Sequence, residues 1–171
     1  MKFIKMLDRH LEEALLVIFS TVMTSVIFIQ VVMRMSGNSL SWSEELGRYC
    51  FIWLVYIGIA YGVKKQRHIK VDVMLLLFKD RGKLVLTIIS NILFLIFAVL
   101  VVYHGNAIAQ QLLGFGQKSP ALHVPMGFVY LASPVGMGLS AIRLIQVLIP
   151  QFKALFGNGE YVIETRENEN Q

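Results

Sequence analysis

Residues 84–113 read LVLTIISNILFLIFAVLVVYHGNAIAQQLL, thirty positions without a formal charge. A straight α-helix of that length extends about 45 Å, whereas the hydrocarbon core of a bilayer is about 30 Å thick. The segment therefore predicts a transmembrane helix that tilts strongly, protrudes from the membrane or lies against a protein partner. Its second half carries His104, Asn106, Gln110 and Gln111, which indicates that this end protrudes.

Three other apolar segments are also long enough to cross a membrane. In this chain of 171 residues 56% are hydrophobic, against roughly 45–50% in soluble domains. We predict an all-α integral membrane protein with four transmembrane helices in one domain (residues 1–156), followed by a flexible cytoplasmic tail (157–171). The predicted spans cover about residues 14–35, 44–63, 84–113 and 126–149.

The segment between spans two and three is strongly basic. Residues 64–83 carry seven Lys and Arg side chains. Within them, residues 71–79 are mostly apolar but too short to cross, which predicts a short amphipathic helix in the membrane interface. The positive-inside rule places this segment and both chain termini in the cytoplasm. Topology thus accounts for the net charge of +5; membrane lipid is an expected partner and nucleic acid is not.

Residues 41–49, SWSEELGRY, concentrate charge between spans one and two. Ser41 and Glu44 have the spacing of a capping box, which predicts a helix start. Arg48 follows Glu44 by four residues and Glu45 by three, so either carboxylate can pair with it on a helix. The segment can be an anchored helix start, a docking site for another subunit or a proton-coupling site. Its predicted place at the outer surface favours the first two interpretations.

Four aromatic side chains of this region share one helix face, because their spacings are seven, four and three residues. They are Trp42, Tyr49, Trp53 and Tyr56. Further along the same span, Gly58 and Gly62 form a GxxxG pair, which permits another helix to approach closely. The aromatic face and the glycine pair are candidate packing surfaces.

Span four carries signals of a bend and of close packing. Pro134 predicts a kink. Ala132, Gly136 and Ser140 form a ridge of small residues at four-residue spacing, which favours contact with another helix. Arg143 lies near the inner end, where its long side chain can reach the membrane surface.

The sequence contains no pattern of an active site, so we predict neither an enzyme nor a cofactor, metal or catalytic residue. His68 and Asp72 are four residues apart and can share a hydrogen bond on a helix, but no second ligand cluster accompanies them. A haem or quinone anchor would need two histidines on facing helices, whereas of His104 and His123 only His104 lies in a span. The single cysteine, Cys50, excludes a disulfide framework.

Several motifs together resemble the small membrane subunit of tripartite ATP-independent periplasmic (TRAP) transporters, the DctQ-type subunit. The resemblance covers about residues 6–149. Its motifs are Ser-Trp-Ser-Glu-Glu-Leu-x-Arg-Tyr at 41–49, Trp53, Gly58, Arg67-His68-Ile69-x-Val71-Asp72, Ser119-x-Ala121-Leu122-x-x-Pro125, Tyr130 and Pro134-x-Gly136.

This resemblance implies a bacterial inner-membrane subunit with two protein partners, a large multi-span subunit and a periplasmic substrate-binding protein. It also implies sodium-driven uptake of an organic acid such as a C4-dicarboxylate or sialic acid. The small subunit is expected to act as a fixed scaffold and to help dock the binding protein. The alternatives are a stand-alone exporter built as an oligomer of four-span units, and a haem or quinone anchor.

Overall fold

The computed structural model describes residues 2–38, 40–65 and 80–156 of the chain. The interfacial helix predicted at 71–79, the pair His68 and Asp72, and the tail 157–171 lie outside these residues. The helices are α1 (Lys2–Met35), α2 (Ser41–Lys64), α3 (Asp80–Gly114), α4 (Met126–Tyr130) and α5 (Ala132–Phe156).

Four segments of the structure are long and apolar enough to cross a membrane, which confirms the predicted fold class. They are Leu11–Met35, Ser41–Lys64, Leu84–Gly114 and Met126–Leu155, the last of which combines α4 and α5. Their apolar side chains can face lipid while each helix satisfies its own backbone hydrogen bonds.

The helices are arranged in a row rather than as a closed bundle. Helix α1 packs against α2, α2 against α5, and α5 against α3, while within the described residues α1 and α3 share at most marginal contact. The short α4 packs mainly against α3. The two end helices therefore leave large apolar faces uncovered, including Phe28 of α1 and Leu93 of α3.

The centre of the row is a close contact between α2 and α5. Ala132, Gly136 and Ser140 of the small-residue ridge are buried there. A Cβ atom on Gly136 would lie 2.5 Å from Tyr56 Cβ, so only glycine permits this approach. The predicted GxxxG pair behaves differently: among the described residues no atom lies within 4 Å of a Cβ position on Gly62, and Gly58 is in ordinary contact with Leu16.

Span four is interrupted at Leu131, three residues before the predicted kink at Pro134. The displacement has a physical reason, because a proline ring crowds the turn that precedes it and leaves the carbonyl four residues earlier without its donor. Helix α5 also continues beyond its predicted end at 149 and contains Pro150. Packing of Leu148 against Leu84 and its neighbours holds this end of the helix in place.

Candidate functional sites at the two membrane faces

Helix α2 begins at Ser41, but the predicted capping box is wrong. The N-cap residue is Leu40, and no side chain caps the helix. Ser43 is fully buried, and its hydroxyl donates a hydrogen bond to the Leu40 carbonyl over 2.7 Å. A hydroxyl that bonds a nearby carbonyl in this way does not satisfy the free N–H groups of the first turn.

The Glu45 carboxylate joins the start of α2 to residues 115–125, which we name the outer loop. The words outer and inner follow the topology predicted from the sequence. The backbone N–H of Ala121 donates to Glu45 Oε1 over 3.1 Å, and that of Leu122 donates to Oε2 over 3.0 Å. The predicted ion pair with Arg48 is absent: of the described residues, neither Glu44 nor Glu45 pairs with Arg48. The carboxylate instead accepts from two backbone N–H groups of the loop, whereas an ion pair with the exposed Arg48 would contribute little.

The outer loop is internally bonded as well as tied to Glu45. Ser119 is buried, its Oγ accepts from the Val124 N–H over 3.2 Å, and its own N–H donates to the Val124 carbonyl over 2.9 Å. Pro125, a predicted site residue, forms an isolated bridge with Lys118 and precedes α4. Within the loop, His123 has φ of 53°, a left-handed conformation that is uncommon outside glycine. The loop therefore has one defined conformation beside α2.

The predicted aromatic face of α2 is divided among different neighbours. Tyr49 donates from its hydroxyl to Met126 Sδ at 3.6 Å, next to the outer loop. Trp53 stacks on Phe19 of α1 with ring centroids 6.2 Å apart, and Tyr56 packs against Gly136. Only Trp42, with 39% of its surface accessible, is exposed at the outer end. Three of the four aromatic side chains thus contact other parts of this chain, and Trp42 is the exposed one.

We expect Glu45→Gln to release the outer loop, because the amide nitrogen that replaces one oxygen cannot accept a hydrogen bond. Because both N–H groups lose a charged acceptor, amide exchange at Ala121 and Leu122 should accelerate roughly tenfold or more. Hydrogen-exchange mass spectrometry of the loop measures this. Glu44→Gln is the matched control, since Glu44 is exposed, and equal protection in both variants would contradict the assignment.

A second polar site, the inner ion cluster, consists of Glu12, Lys64 and Arg143. Glu12 is 1% exposed; its Oε2 lies 2.6 Å from Lys64 Nζ, and its Oε1 lies 2.8 Å from Arg143 Nε and 2.6 Å from Nη2. The prediction that Arg143 reaches the membrane surface is wrong, because this side chain is 8% exposed and turned inward to Glu12. Arg143 also donates to Gln146 over 2.9 Å. One carboxylate therefore connects α1, α2 and α5.

A more exposed set lies beside the cluster. Tyr61 donates to Glu13 over 3.2 Å, Lys65 lies 3.5 Å from the same carboxylate, and Lys65 Nζ is 5.6 Å from the Tyr61 ring centroid. Two carboxylates and three cations thus meet at this end of the helices. In the described part of the chain, no group of three or more His, Cys, Asp or Glu side chains could hold a metal ion.

The importance of Glu12 and Lys64 was not predicted, although the sequence carried a signal. Glu12 precedes span one, Lys64 follows span two and Arg143 is near the inner end of span four. The predicted topology assigns all three to the same membrane face. Opposite charges at equal depth in neighbouring helices are expected to pair.

Comparison with known proteins identifies the family. Residues 23–154 match the family model for the DctQ component of tripartite ATP-independent periplasmic transporters. The chain is 31% identical over 154 residues to the isethionate TRAP transporter permease protein DctMQ of Oleidesulfovibrio alaskensis, covering 86% of this chain and only 24% of that protein. It is 29% identical over 111 residues to the C4-dicarboxylate TRAP transporter small permease protein DctQ of Rhodobacter capsulatus, covering 65% of this chain and 49% of that protein.

A third relative is similar along most of its length. The sialic acid TRAP transporter small permease protein SiaQ of Vibrio cholerae is 23% identical over 158 residues, covering 92% of this chain and 90% of that protein. The family match, the four spans and these relatives agree. The chain therefore belongs to the DctQ family of small TRAP transporter permease subunits, and it is a transporter subunit rather than an enzyme.

Proposed function

We propose that this chain is a fixed scaffold in the bacterial inner membrane that braces the large subunit of a TRAP transporter. Its outer face helps to dock the periplasmic substrate-binding protein during sodium-driven uptake. The substrate is an organic acid of the C4-dicarboxylate or sialic acid type, since relatives named for C4-dicarboxylate, sialic acid and isethionate all refer to organic anions.

The inner ion cluster is the observation that supports a bracing role most directly. A single buried carboxylate fastens three of the four spans to one another, and Glu45 fastens the outer loop to α2. Between the depth of Glu12 and the depth of Glu45, the spans have no acidic side chains. A carrier of charged solutes usually needs polar or charged groups near mid-membrane. Such a subunit is suited to holding a moving partner in place.

The proposed orientation puts both termini and the inner ion cluster on the cytoplasmic side. The outer loop and the start of α2 then face the periplasm. On that side the exposed side chains of Arg34, Arg48 and Lys118 outnumber the exposed Glu44 among the described charges. This excess of positive charge suits an acidic surface on the binding protein.

Arg48→Glu should therefore weaken assembly or docking, with uptake at low salt reduced by roughly threefold to tenfold. A charge at the edge of an interface mainly speeds the encounter of the two proteins. The difference in uptake between Arg48→Glu and wild type should therefore shrink as ionic strength rises. Uptake by the reconstituted complex measures it. Lys153→Glu, at the opposite end of the molecule, is the control; unchanged assembly and uptake in Arg48→Glu would reduce residues 41–49 to a membrane anchor.

The proposed function is tested by purifying the tagged chain from its native host in mild detergent, with mass identification of what accompanies it. We expect a large multi-span membrane protein, and its reproducible absence would overturn the scaffold role. In liposomes the chain alone should give no sodium-driven uptake. Uptake by the chain alone would favour the exporter alternative, although Glu12, a carboxylate at the edge of span one, is paired with two cations.

A further inference from the structure

Helix α3 carries polar side chains on a face that no other part of the described chain covers. Tyr103, Asn106 and Gln110 line a groove of about 670 Å³ between α3 and the junction of α4 with α5. Their spacings of three and four residues place them along one side of α3. Tyr103 is 73% exposed, and both amide side chains are exposed as well.

The groove lies at the depth of the membrane-spanning part of the row. A Cβ atom on Gly105 would lie 3.3 Å from Pro134, and Gly136, two residues further into α5, packs against Tyr56 in the interior of α2. Asn106 is the neighbour of Gly105 and belongs to the span Leu84–Gly114. The polar end of α3, expected from the sequence to protrude, thus begins beside the other helices.

Neither Asn106 nor Gln110 makes a side-chain hydrogen bond within the described part of the chain. A primary amide has two donors and an acceptor, and acyl chains offer no partner for them. An amide pair on an uncovered helix face inside a membrane therefore favours contact with another protein over contact with lipid.

The uncovered face of α1 differs in this respect. Its exposed polar side chains in the span include Thr21 and Ser25, which are hydroxyls. A hydroxyl can donate to the carbonyl four residues earlier in its own helix, as Ser36 and Ser140 do in this structure. Asn106 and Gln110, by contrast, make no such bond to their own helix in the described part of the chain. The α3 groove is thus the stronger candidate for a protein contact.

We propose that this groove receives a transmembrane helix of the large subunit, whose hydrogen-bonding side chains meet Asn106 and Gln110. The proposal rests on the proposed function and names the surface through which the scaffold holds its partner. The spacing of the polar residues along α3 suits a partner helix that packs lengthwise against it. Amides that bond across such a contact fix the register of the two helices. Tyr103 also lines the groove, and its hydroxyl adds one more donor.

Photo-cross-linking in the intact membrane complex tests this assignment. A photoreactive amino acid at position 107, which lines the groove, should give an adduct with the large subunit. The same probe at position 108, which is exposed on another side of α3, should give several-fold less. Equal or stronger cross-linking from position 108, an adduct with a second copy of this chain, or adducts with lipid alone would each overturn the proposal.

A second measurement uses substitutions that leave the surface apolar. Replacing Asn106 and Gln110 together by leucine should reduce the large subunit recovered with the tagged chain by roughly fivefold to tenfold. His104→Leu removes an exposed polar group of the same helix outside the groove and should have no such effect. Equal recovery with both variants would count against the groove. If the wild-type chain recovers no large subunit, the proposed function fails; if recovery is normal but cross-links arise elsewhere, only the groove is excluded.

Discussion

Glu12→Gln should lower the free energy of unfolding of the subunit by about 3–5 kcal/mol, the cost of breaking a buried ion pair from one side. The substitution keeps the shape of the side chain but removes the buried negative charge that pairs with both Lys64 and Arg143. Arg143 is the more affected of the two cations, because it is 8% exposed and cannot turn to water as readily as Lys64. Equilibrium unfolding in detergent, followed by circular dichroism, measures the loss.

Glu13→Gln is the matched control for this prediction. Its pair with Lys65 is partly exposed, and exposed pairs contribute about 0–1 kcal/mol. The double variant Glu12→Gln with Arg143→Met should cost less than the sum of the two single changes, since it removes both ends of one contact. Equal losses for Glu12→Gln and Glu13→Gln, or strict additivity in the double variant, would show that the cluster does not hold α1, α2 and α5 together.

A scaffold with a weakened inner ion cluster should also transport poorly. If bracing depends on α1, α2 and α5 moving as one unit, uptake by the reconstituted complex should fall with Glu12→Gln even when the amount of assembled complex is matched to wild type. If the variant complex assembled and transported normally, the stability of the subunit would not matter for its proposed bracing role.

The four spans were predictable because each depends on local composition. Long uncharged runs fix the number and the approximate position of membrane helices, as at 84–113. Their ends were less predictable: helical structure already includes Asp80, before the predicted start of span three, and still includes Phe156, beyond the predicted end of span four, because helices continue beyond the apolar run where packing supports them. The row arrangement itself has no local signal, since it depends on which faces of α2 and α5 meet.

Residues 41–49 stand out in the sequence as a polar segment, but the bonds that they make could not be predicted from it. Local spacing places Arg48 within reach of Glu45, and that reasoning considers only side chains on the same helix. The actual partners, the N–H groups of Ala121 and Leu122, are 76 and 77 residues away in the chain. Every residue other than proline has a backbone N–H group, so the sequence does not indicate which of them bonds to Glu45. Only the fold identifies this contact.

The contact between α2 and α5 gives the second large prediction. Gly136→Ala should destabilise the subunit by about 1–3 kcal/mol, the usual cost of overpacking. The added Cβ would lie 2.5 Å from Tyr56 Cβ and 2.9 Å from both the carbonyl carbon and the carbonyl oxygen of Tyr56. Backbone atoms cannot move aside as the end of a flexible side chain can, so the two helices must separate.

The effect should be large for a single methyl group, because helices in a membrane associate through close packing and hydrogen bonds rather than through the hydrophobic effect. Gly62→Ala in α2 is the matched control: no atom of the described residues lies within 4 Å of its Cβ position, and alanine is favoured over glycine in a helix by up to about 1 kcal/mol. The two glycine variants should therefore shift the unfolding midpoint in detergent in opposite directions. A neutral or stabilising Gly136→Ala would mean that α2 and α5 are not in close contact, and the central pair of the row would have to be reassigned.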